Sequence, residues 1–421
     1  MIEHEQHGEV TLPLSRILGE KTGLCTNVVY TLPLRADPAD GVVVRGDKPD
    51  ISTLFDDENA NGFIQSSGKG GSVREGTVTL LGETVERYVP QITHPDSNDA
   101  RYTELAADYE MIDPKYLRLY SPSARERAAE YFGELDEFDP SDVRPWIAGT
   151  NLLTGEQTYL PLEFVYGTSG TDWNPIIPTT TNGLACHETI PQSVLASLYE
   201  QIERDAFMET WFTETTPNRI QTDEFPTETE QVRLHLLEYE TGVDLPTVGC
   251  LGILSESNTS YPFFSGGAGE TYRAAIRGAS FEATQCIQLI SGHKKRDVVD
   301  DIDPRGIDNL EDNVYYYYDT DNFDHLEFLL DGPSRSMRSI DGNHEFDGPG
   351  EELSFVLDRL AAEGVTPIAF DLTTPDVEDI GVNVTKVIIP ELLQLSYPSF
   401  PFDRHPKLDG RIENEAPHPY P

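Results

Sequence analysis

The spacing of apolar positions changes from one segment of this chain to the next, and each change predicts an element. "TNVVYTLPL" reads as a strand. Gly and Lys in "SSGKGG" mark a turn, and the apolar positions of "SVREGTVTLLGETVERYVP" after it suit an amphipathic helix. The middle, roughly 89 to 150, is loop-rich and contains "LYSPSARERAAEYF"; "TGEQTYLPLEFVYG" reads as a hairpin or strand pair. In "TTTNGLACHETIPQSVLASLYEQIERDAFMETWF" a polar loop feeds a long helix whose stripe is Val194, Leu195, Leu198, Ile202 and Phe207, with Glu200 and Glu203 off it. "PTVGCLGILS" reads as a buried strand, and "FSGGAGETYRAAIRGASFEATQCIQLI" repeats a glycine turn followed by a helix. The charged run "KKRDVVDDIDPRGIDNLEDNVYYYYDTDNF" reads as a surface insertion or mobile cover. "SFVLDRLAAEGVTPIAFDLT" and "VNVTKVIIPEL" give helix, strand, strand, and the ending "FDRHPKLDGRIENEAPHPYP" has no periodicity. Three glycine-turn and helix units without a short repeat predict one large mixed α/β domain.

Composition narrows the function classes. With 421 residues and 38% hydrophobic content the chain can bury a substantial core. Its 74 Asp and Glu against 30 Lys and Arg give a formal charge of −44, spread along the chain. That charge repels nucleic-acid phosphates, and no basic stripe offsets it. A distributed acidic excess is the expectation for a halophilic protein, adapted to a salt-rich cytoplasm where ionic strength screens self-repulsion. The opening "MIEHEQHGEVTLPL" does not read as a secretory signal, and no apolar run approaches the roughly 20 residues that span a bilayer, so a cytoplasmic location without membrane partners is expected. Cys25, Cys186, Cys250 and Cys286 are scattered and require neither a zinc site nor a disulfide.

Candidate chemistry lies in two acidic blocks. "GETVER", Gly82 to Arg87, and "EQIER", Glu200 to Arg204, share Glu-x-x-Glu-Arg, which on a helix projects both carboxylates from one face. A single such block is ordinarily a solvated face. Two copies, each near a glycine or Asn-Gly turn, raise the alternative of Mg²⁺, a hard cation that takes carboxylate oxygens together with substrate phosphates. "SGKGG" lacks the Gly-x-x-x-x-Gly-Lys-Ser/Thr spacing of a P-loop, so Lys69 is at most a point charge near phosphate. Cys186 and His187 have no third partner at catalytic spacing and are assigned to loop packing.

Taken in order, "SSGKGG", "LGETVERY", "PWIAGTNLLTGEQTYLPLEFVYG", "TNGLACHETIPQSVLASLYEQIERDAF", "GGAGETYRAAIRGASFEATQ" and "PHPYP" resemble the YcaO family of ATP-dependent enzymes that modify peptide backbone amides. The resemblance implies a mixed α+β fold, with mixed sheets flanked by helices: residues 1–60 are an N-terminal segment of the same fold, and 61–421 form the YcaO domain with a Pro-rich tail at 404–421. It implies ATP and Mg²⁺ as cofactors. Glu83, Glu86, Glu200 and Glu203 are the implied metal carboxylates, Lys69, Glu282 and Gln285 line the nucleotide, and Arg87 and Arg204 support catalysis. The chain departs from the family pattern at Leu80, Ala185, Glu188 and Gln192. Glu188 in place of an amide offers metal or nucleotide a carboxylate, Gln192 a carbonyl oxygen, and Ala185 neither.

The implied reaction is cyclodehydration of Cys, Ser or Thr in a ribosomally made precursor peptide, giving azolines on the route to thiazoles and oxazoles. Pro417, Pro419 and Pro421 form the Pro-x-Pro-x-Pro ending of azoline-forming members, with the Pro421 carboxylate expected among the catalytic groups. The implied partners are the precursor peptide and a separate leader-binding protein of the ubiquitin-activating-enzyme-like or ThiF-like type. Ring oxidation by a flavin dehydrogenase stays open, and a homodimer is implied by the family alone. Thioamidation with a TfuA-like partner, or an inactive adaptor role in a modification complex, are the alternatives.

Overall fold

A computed structural model describes residues 14–19, 23–33, 41–47, 66–92, 97–167, 173–240, 242–256, 259–292, 302–307, 310–340, 342 and 344–420. Strands β1 (Thr26–Thr31), β2 (Val42–Asp47) and β3 (Ser66–Gly70) precede helix α1 (Val73–Ile92). After β4 (Asn98–Arg101), β5 (Glu110–Met111) and α2 (Pro122–Phe132) comes the hairpin β6 (Val143–Asn151) and β7 (Gln157–Pro161). β8 (Leu184–His187) runs into α3 (Ile190–Phe212). β9 (Asn218–Gln221), β10 (Val232–Glu238), β11 (Thr247–Glu256) and β12 (Thr259–Ala268) form a meander that leads into α4 (Tyr272–Gly292). Then follow α5 (Leu310–Tyr316), β13 (Ser334–Ser336), α6 (Pro349–Glu363), β14 (Ile368–Asp371) and β15 (Asn383–Ile388).

The strands form three sheets, in the orders β1-β2-β3, β12-β11-β10-β9-β13 and β5-β7-β6-β14-β15-β8, with β4 added beside β6. Pairing is antiparallel except for β13 with β9 and β5 with β7, so the fold is the expected mixed α/β type. Three long helices tie the sheets together. α1 packs on β2 and β3 and also on β8 and β15; α3 packs on β8 and β15 and also on β11 and β12; α4 packs on β11 and β12 and also on β2 and β3. Each helix therefore bridges a different pair of sheets.

Local capping residues start two of the helices. Ser121 caps α2 by accepting from the Ala124 amide at 3.2 Å, and Pro122 fills its first turn. Thr189 caps α3, with Pro191 in the first turn. α3 is buried well beyond its predicted stripe: Ser193, Ser197, Gln201 and Asp205 are buried as completely as Leu198 and Ile202. Such a helix sits between two packed layers and presents no solvated face along most of its length.

Several expectations are corrected. "SSGKG" is strand β3 rather than a turn, and "FSGGA" closes strand β12. The span 89–150 holds helices and strands as well as loops. Within the charged run, Tyr315, Tyr317 and Tyr318 are core residues, because a tyrosine buries its ring wherever its apolar body finds a surface. The ending is core as well: Pro417, His418, Pro419 and Tyr420 are buried, although Pro421 lies outside the described residues. Among the described residues no helix is long and apolar enough to cross a membrane.

Asp205 anchors the closing segment to α3. Its carboxylate is 1% exposed and takes Lys407 Nζ at 2.7 and 2.6 Å and the Leu393 amide at 2.8 Å. Burial pushes the Asp205 carboxyl up, and Lys407 opposes that rise. Lys407→Ala leaves this carboxylate buried and unpaired, and we expect a loss of about 3–5 kcal/mol in urea unfolding at fixed salt. A loss under about 1 kcal/mol would show that the clasp is not structural.

Candidate functional site

The three bridging helices bring Glu200, Glu203, Arg204 and Glu282 within electrostatic reach of one another, with Lys69 facing both Glu282 and Glu83. α1 carries Glu83, Glu86 and Arg87, α3 carries Glu200, Glu203 and Arg204, and α4 carries Glu282 and Gln285. Lys69 on β3 reaches across to Glu282 Oε1 at 2.8 Å, and Gln285 Nε2 donates to Ser67 Oγ on the same strand at 2.5 Å. The Gly266 amide of β12 donates to the other Glu282 oxygen at 3.3 Å. Arg87 pairs with Glu83 at 2.8 Å one turn away. Arg204 faces Glu200 at 3.7 Å and Glu203 at 3.4 Å.

The backbone holds Glu200 through Gly183, whose amide donates to Oε2 at 3.0 Å. Gly183 has φ +71° and lies so close to β15 that a Cβ there would sit 2.0 Å from the Val387 carbonyl oxygen; only glycine fits. Below Glu200 the fully buried Lys386 donates to the Thr180 carbonyl at 2.7 Å. Burial pushes the Lys386 ammonium down to about 7, with the Glu200 carboxylate opposing.

The closing segment completes the site. Tyr420 donates its hydroxyl to Glu203 Oε1, and the Arg204 guanidinium stacks over its ring at 4.1 Å. The segment is fixed by donors from the core: Trp211 Nε1 to the Ala416 carbonyl at 3.0 Å, Tyr317 to the Pro417 carbonyl, and Asn313 Nδ2 to the Tyr420 carbonyl at 2.6 Å. His418 Nε2 lies 2.8 Å from the Ser396 carbonyl, and burial pushes its imidazole down to about 4, so it stays neutral.

Electrostatically the site is short of positive charge. Burial pushes Glu203 up to about 7; Arg204 opposes the rise, and Glu282 and Glu200 add to it. Burial also raises Glu200 against the pull of Arg204. Burial acts the same way on Glu282, but Lys69 and Arg204 outweigh it and hold that carboxyl low. Arg204 Nε and both amide atoms of Gln201 are buried without a hydrogen-bond partner among the described residues. Hard oxygen donors repelling one another, with Lys69 and Arg204 beside them, fit a divalent cation and a phosphate. Yet no group of three His, Cys, Asp and Glu side chains among the described residues stands ready-made for a metal. The carboxylates close on the chain's own cations instead.

Two further residues named from the sequence lie at the start of α3. Glu188 is exposed just before the start of α3. Gln192 Oε1 accepts from the Thr189 hydroxyl at 2.7 Å, part of the helix cap. Glu86 lies toward β8, where its charge adds to the effect of burial in raising the Cys186 thiol. Sequence reasoning missed Lys386 and Tyr420 because neither stands near an acidic block; the Asn182-Gly183 turn beside Glu200 was the one local signal.

A family model described as YcaO cyclodehydratase, ATP- and Mg²⁺-binding, matches residues 67–393. The chain belongs to the YcaO family. ATP and Mg²⁺ are the cofactors of that family, and the donors just described suit both. Among solved structures this YcaO chain is similar to a heterocyclase in complex with substrate and cofactor, with TM-score 0.75 and 19% identity over 96% of this chain and 54% of the other. It thus spans about half the length of that protein. A YcaO protein from Methanopyrus kandleri bound with AMPPCP and Mg²⁺ aligns with TM-score 0.63 and 17% identity, covering 90% of this chain and 88% of that one. At these identities the likeness establishes the fold. In sequence, an uncharacterised protein in the tfuA 3′ region of Rhizobium leguminosarum bv. trifolii is 24% identical over 79% of this chain and 78% of its own length.

The raised Glu203 carboxyl makes stability depend on pH. Its folded value, about 7, exceeds the ordinary 4.5, so its favourable contribution is present below pH 4.5 and is lost as pH rises through 7. In metal-free protein, Glu203→Gln should therefore stabilise the fold at pH 8 and lose that advantage near pH 4.5, as read by thermal unfolding at both pH values. Equal shifts at both would contradict the electrostatic reading.

Proposed function

We propose that this YcaO protein uses ATP and Mg²⁺ to activate backbone amide oxygens of a peptide, and that the outcome is an azoline ring. An amide oxygen is a poor leaving group; ATP supplies the phosphoryl group that lets it depart as phosphate. A Cys, Ser or Thr side chain of the peptide adds to the preceding carbonyl and closes the ring, the resulting oxygen takes the phosphoryl group from ATP with release of ADP, and loss of phosphate and the amide N–H proton forms the C=N bond of the azoline. No nucleophile of the enzyme is needed, so the chain's residues bind, orient and offset charge.

In this reading Glu83, Glu86, Glu200 and Glu203 hold Mg²⁺. Lys69, released from Glu282, meets phosphate, with Arg87 and Arg204 keeping the carboxylates aimed. Glu282 and Gln285 hold β3 beside the nucleotide. The observation that carries the azoline outcome is the closing segment: a buried, proline-spaced strand of chain whose Tyr420 hydroxyl rests on Glu203. Proline fixes this segment in an extended form before it docks.

Thioamidation is the second reading, and the specific support for it is the relative in the tfuA 3′ region. There sulfur replaces the activated oxygen, with a TfuA-like partner. For azoline formation the proposed partners are the precursor peptide and a leader-binding protein.

The test is to incubate the protein with ATP, Mg²⁺ and the peptide encoded beside its gene, then weigh the peptide. Loss of water supports the azoline reading, and exchange of oxygen for sulfur supports the second. Glu83→Gln and Glu203→Gln should each lower ATP turnover at least about 100-fold, ~2.7 kcal/mol, with the fold intact by circular dichroism. Turnover that persists in both would refute the site.

A further inference from the structure

Glu203 has a second tyrosine beside it. Tyr239 follows β10, and its hydroxyl is buried without a hydrogen-bond partner among the described residues. Burial pushes its phenol well up, and the nearby Glu203 charge adds to the rise. The hydroxyl lies over Gly249 of β11, where a Cβ would come within 2.1 Å of it. Directly across the ladder, Gly249 is paired with Gly266 of β12. A Cβ on Gly266 would meet the Tyr420 hydroxyl at 2.6 Å and the Glu203 carboxyl carbon at 3.2 Å.

Residues directly opposite in an antiparallel pair place their side chains on the same face of the sheet. The bare backbone of this glycine pair is therefore a floor for two phenol hydroxyls, that of Tyr420 on the Glu203 carboxylate and that of Tyr239 within reach of its charge. Glycine inside a strand normally weakens it, and two facing one another mark a close approach. An orphaned buried hydroxyl costs stability that a phenylalanine of the same shape avoids. Packing alone does not account for it.

We infer that Tyr239 is a positioning residue for Glu203, and that its hydroxyl over Gly249 and the Tyr420 hydroxyl over Gly266 form a seat that aims this carboxylate at the bound cation. The inference rests on the proposed role of Glu203 in the Mg-ATP site. Tyr420 already holds Oε1. When a cation draws the carboxylate away from its apo contacts, Tyr239 stands ready as the second donor, so the aim of Glu203 does not depend on one hydrogen bond from the closing segment. The seat also couples the meander, α3 and the closing segment through a single side chain.

The experiment is a calorimetric titration of Mg²⁺ into the full chain with a non-hydrolysable ATP analogue, for wild type, Tyr239→Phe, Glu203→Gln and the double variant. Tyr239→Phe should raise the Mg²⁺ needed for half-saturation roughly three- to tenfold, while its melting temperature stays equal or rises. In the Glu203→Gln background the same substitution should add nothing, since both changes act through one carboxylate. Binding by Tyr239→Phe equal to wild type overturns the inference, as does an equal loss in both backgrounds or a weakening that comes with a lowered melting temperature. Absence of Mg-analogue binding by the wild type overturns the proposed site, and the inference with it.

Discussion

The site depends on the burial of α3. A helix pressed between two sheets and covered by the closing segment leaves Glu200 and Glu203 only partly exposed, so both carboxylates stand in a medium that resists their charge. Several groups around them answer that cost, against the added repulsion of Glu282: Arg204 beside both, the Gly183 amide and Lys386 at Glu200, the Tyr420 hydroxyl at Glu203. Placed on an exposed helix, the same Glu-x-x-Glu-Arg sequence would be hydrated and inert. The chemistry comes from where the helix is packed.

The closing segment shows the same economy in its backbone. A buried extended chain that joins no sheet must satisfy each amide and carbonyl individually. Proline removes the donor, so Pro417 and Pro419 leave carbonyls as the main demand. Those of Ala416, Pro417 and Tyr420 are met by Trp211, Tyr317 and Asn313, three residues from α3, α5 and the turn after it. This is why the tyrosine run that looked like a mobile cover is core. It supplies the dock for a segment whose own sequence cannot form regular structure.

Helices α1, α3 and α4 were legible because an apolar stripe is a local pattern, whereas α2, which opens on the Ser121-Pro122 cap, fell inside a span read as loop. Glycine was the misleading signal. "SSGKG" and "FSGGA" suggest turns, yet both lie in strands. There glycine serves close approach, as at Gly68, where a Cβ would fall 1.9 Å from the Gly76 carbonyl of α1. Local sequence cannot separate a glycine that bends the chain from one that lets another element near it. The acidic blocks were visible as spacing, and the order of motifs gave them meaning. Tyr239, Lys386 and Tyr420 carry no such spacing; only tertiary proximity to Glu200 or Glu203 distinguishes them from ordinary core residues.

The local charge count links metal to nucleotide. Glu83, Glu86, Glu200, Glu203 and Glu282 against Lys69, Arg87 and Arg204 are five carboxylates against three cations, a formal −2 before Glu203 and Lys386, both shifted to about 7, are allowed to titrate. Against this background a polyphosphate arriving alone meets net repulsion, stronger than in water because the carboxylates are partly buried. A divalent cation arriving first finds Glu83 and Glu203 already paired with arginines and must displace those contacts. In the proposed site the two ligands together would solve both problems: the cation would cancel the repulsion, and the phosphates would draw Lys69 and Arg204 away from the carboxylates proposed to hold the cation. If the proposed roles hold, the ion pairs of the metal-free site would act as exchange partners, and cooperative binding of metal and nucleotide would follow from electrostatics without any movement of the fold.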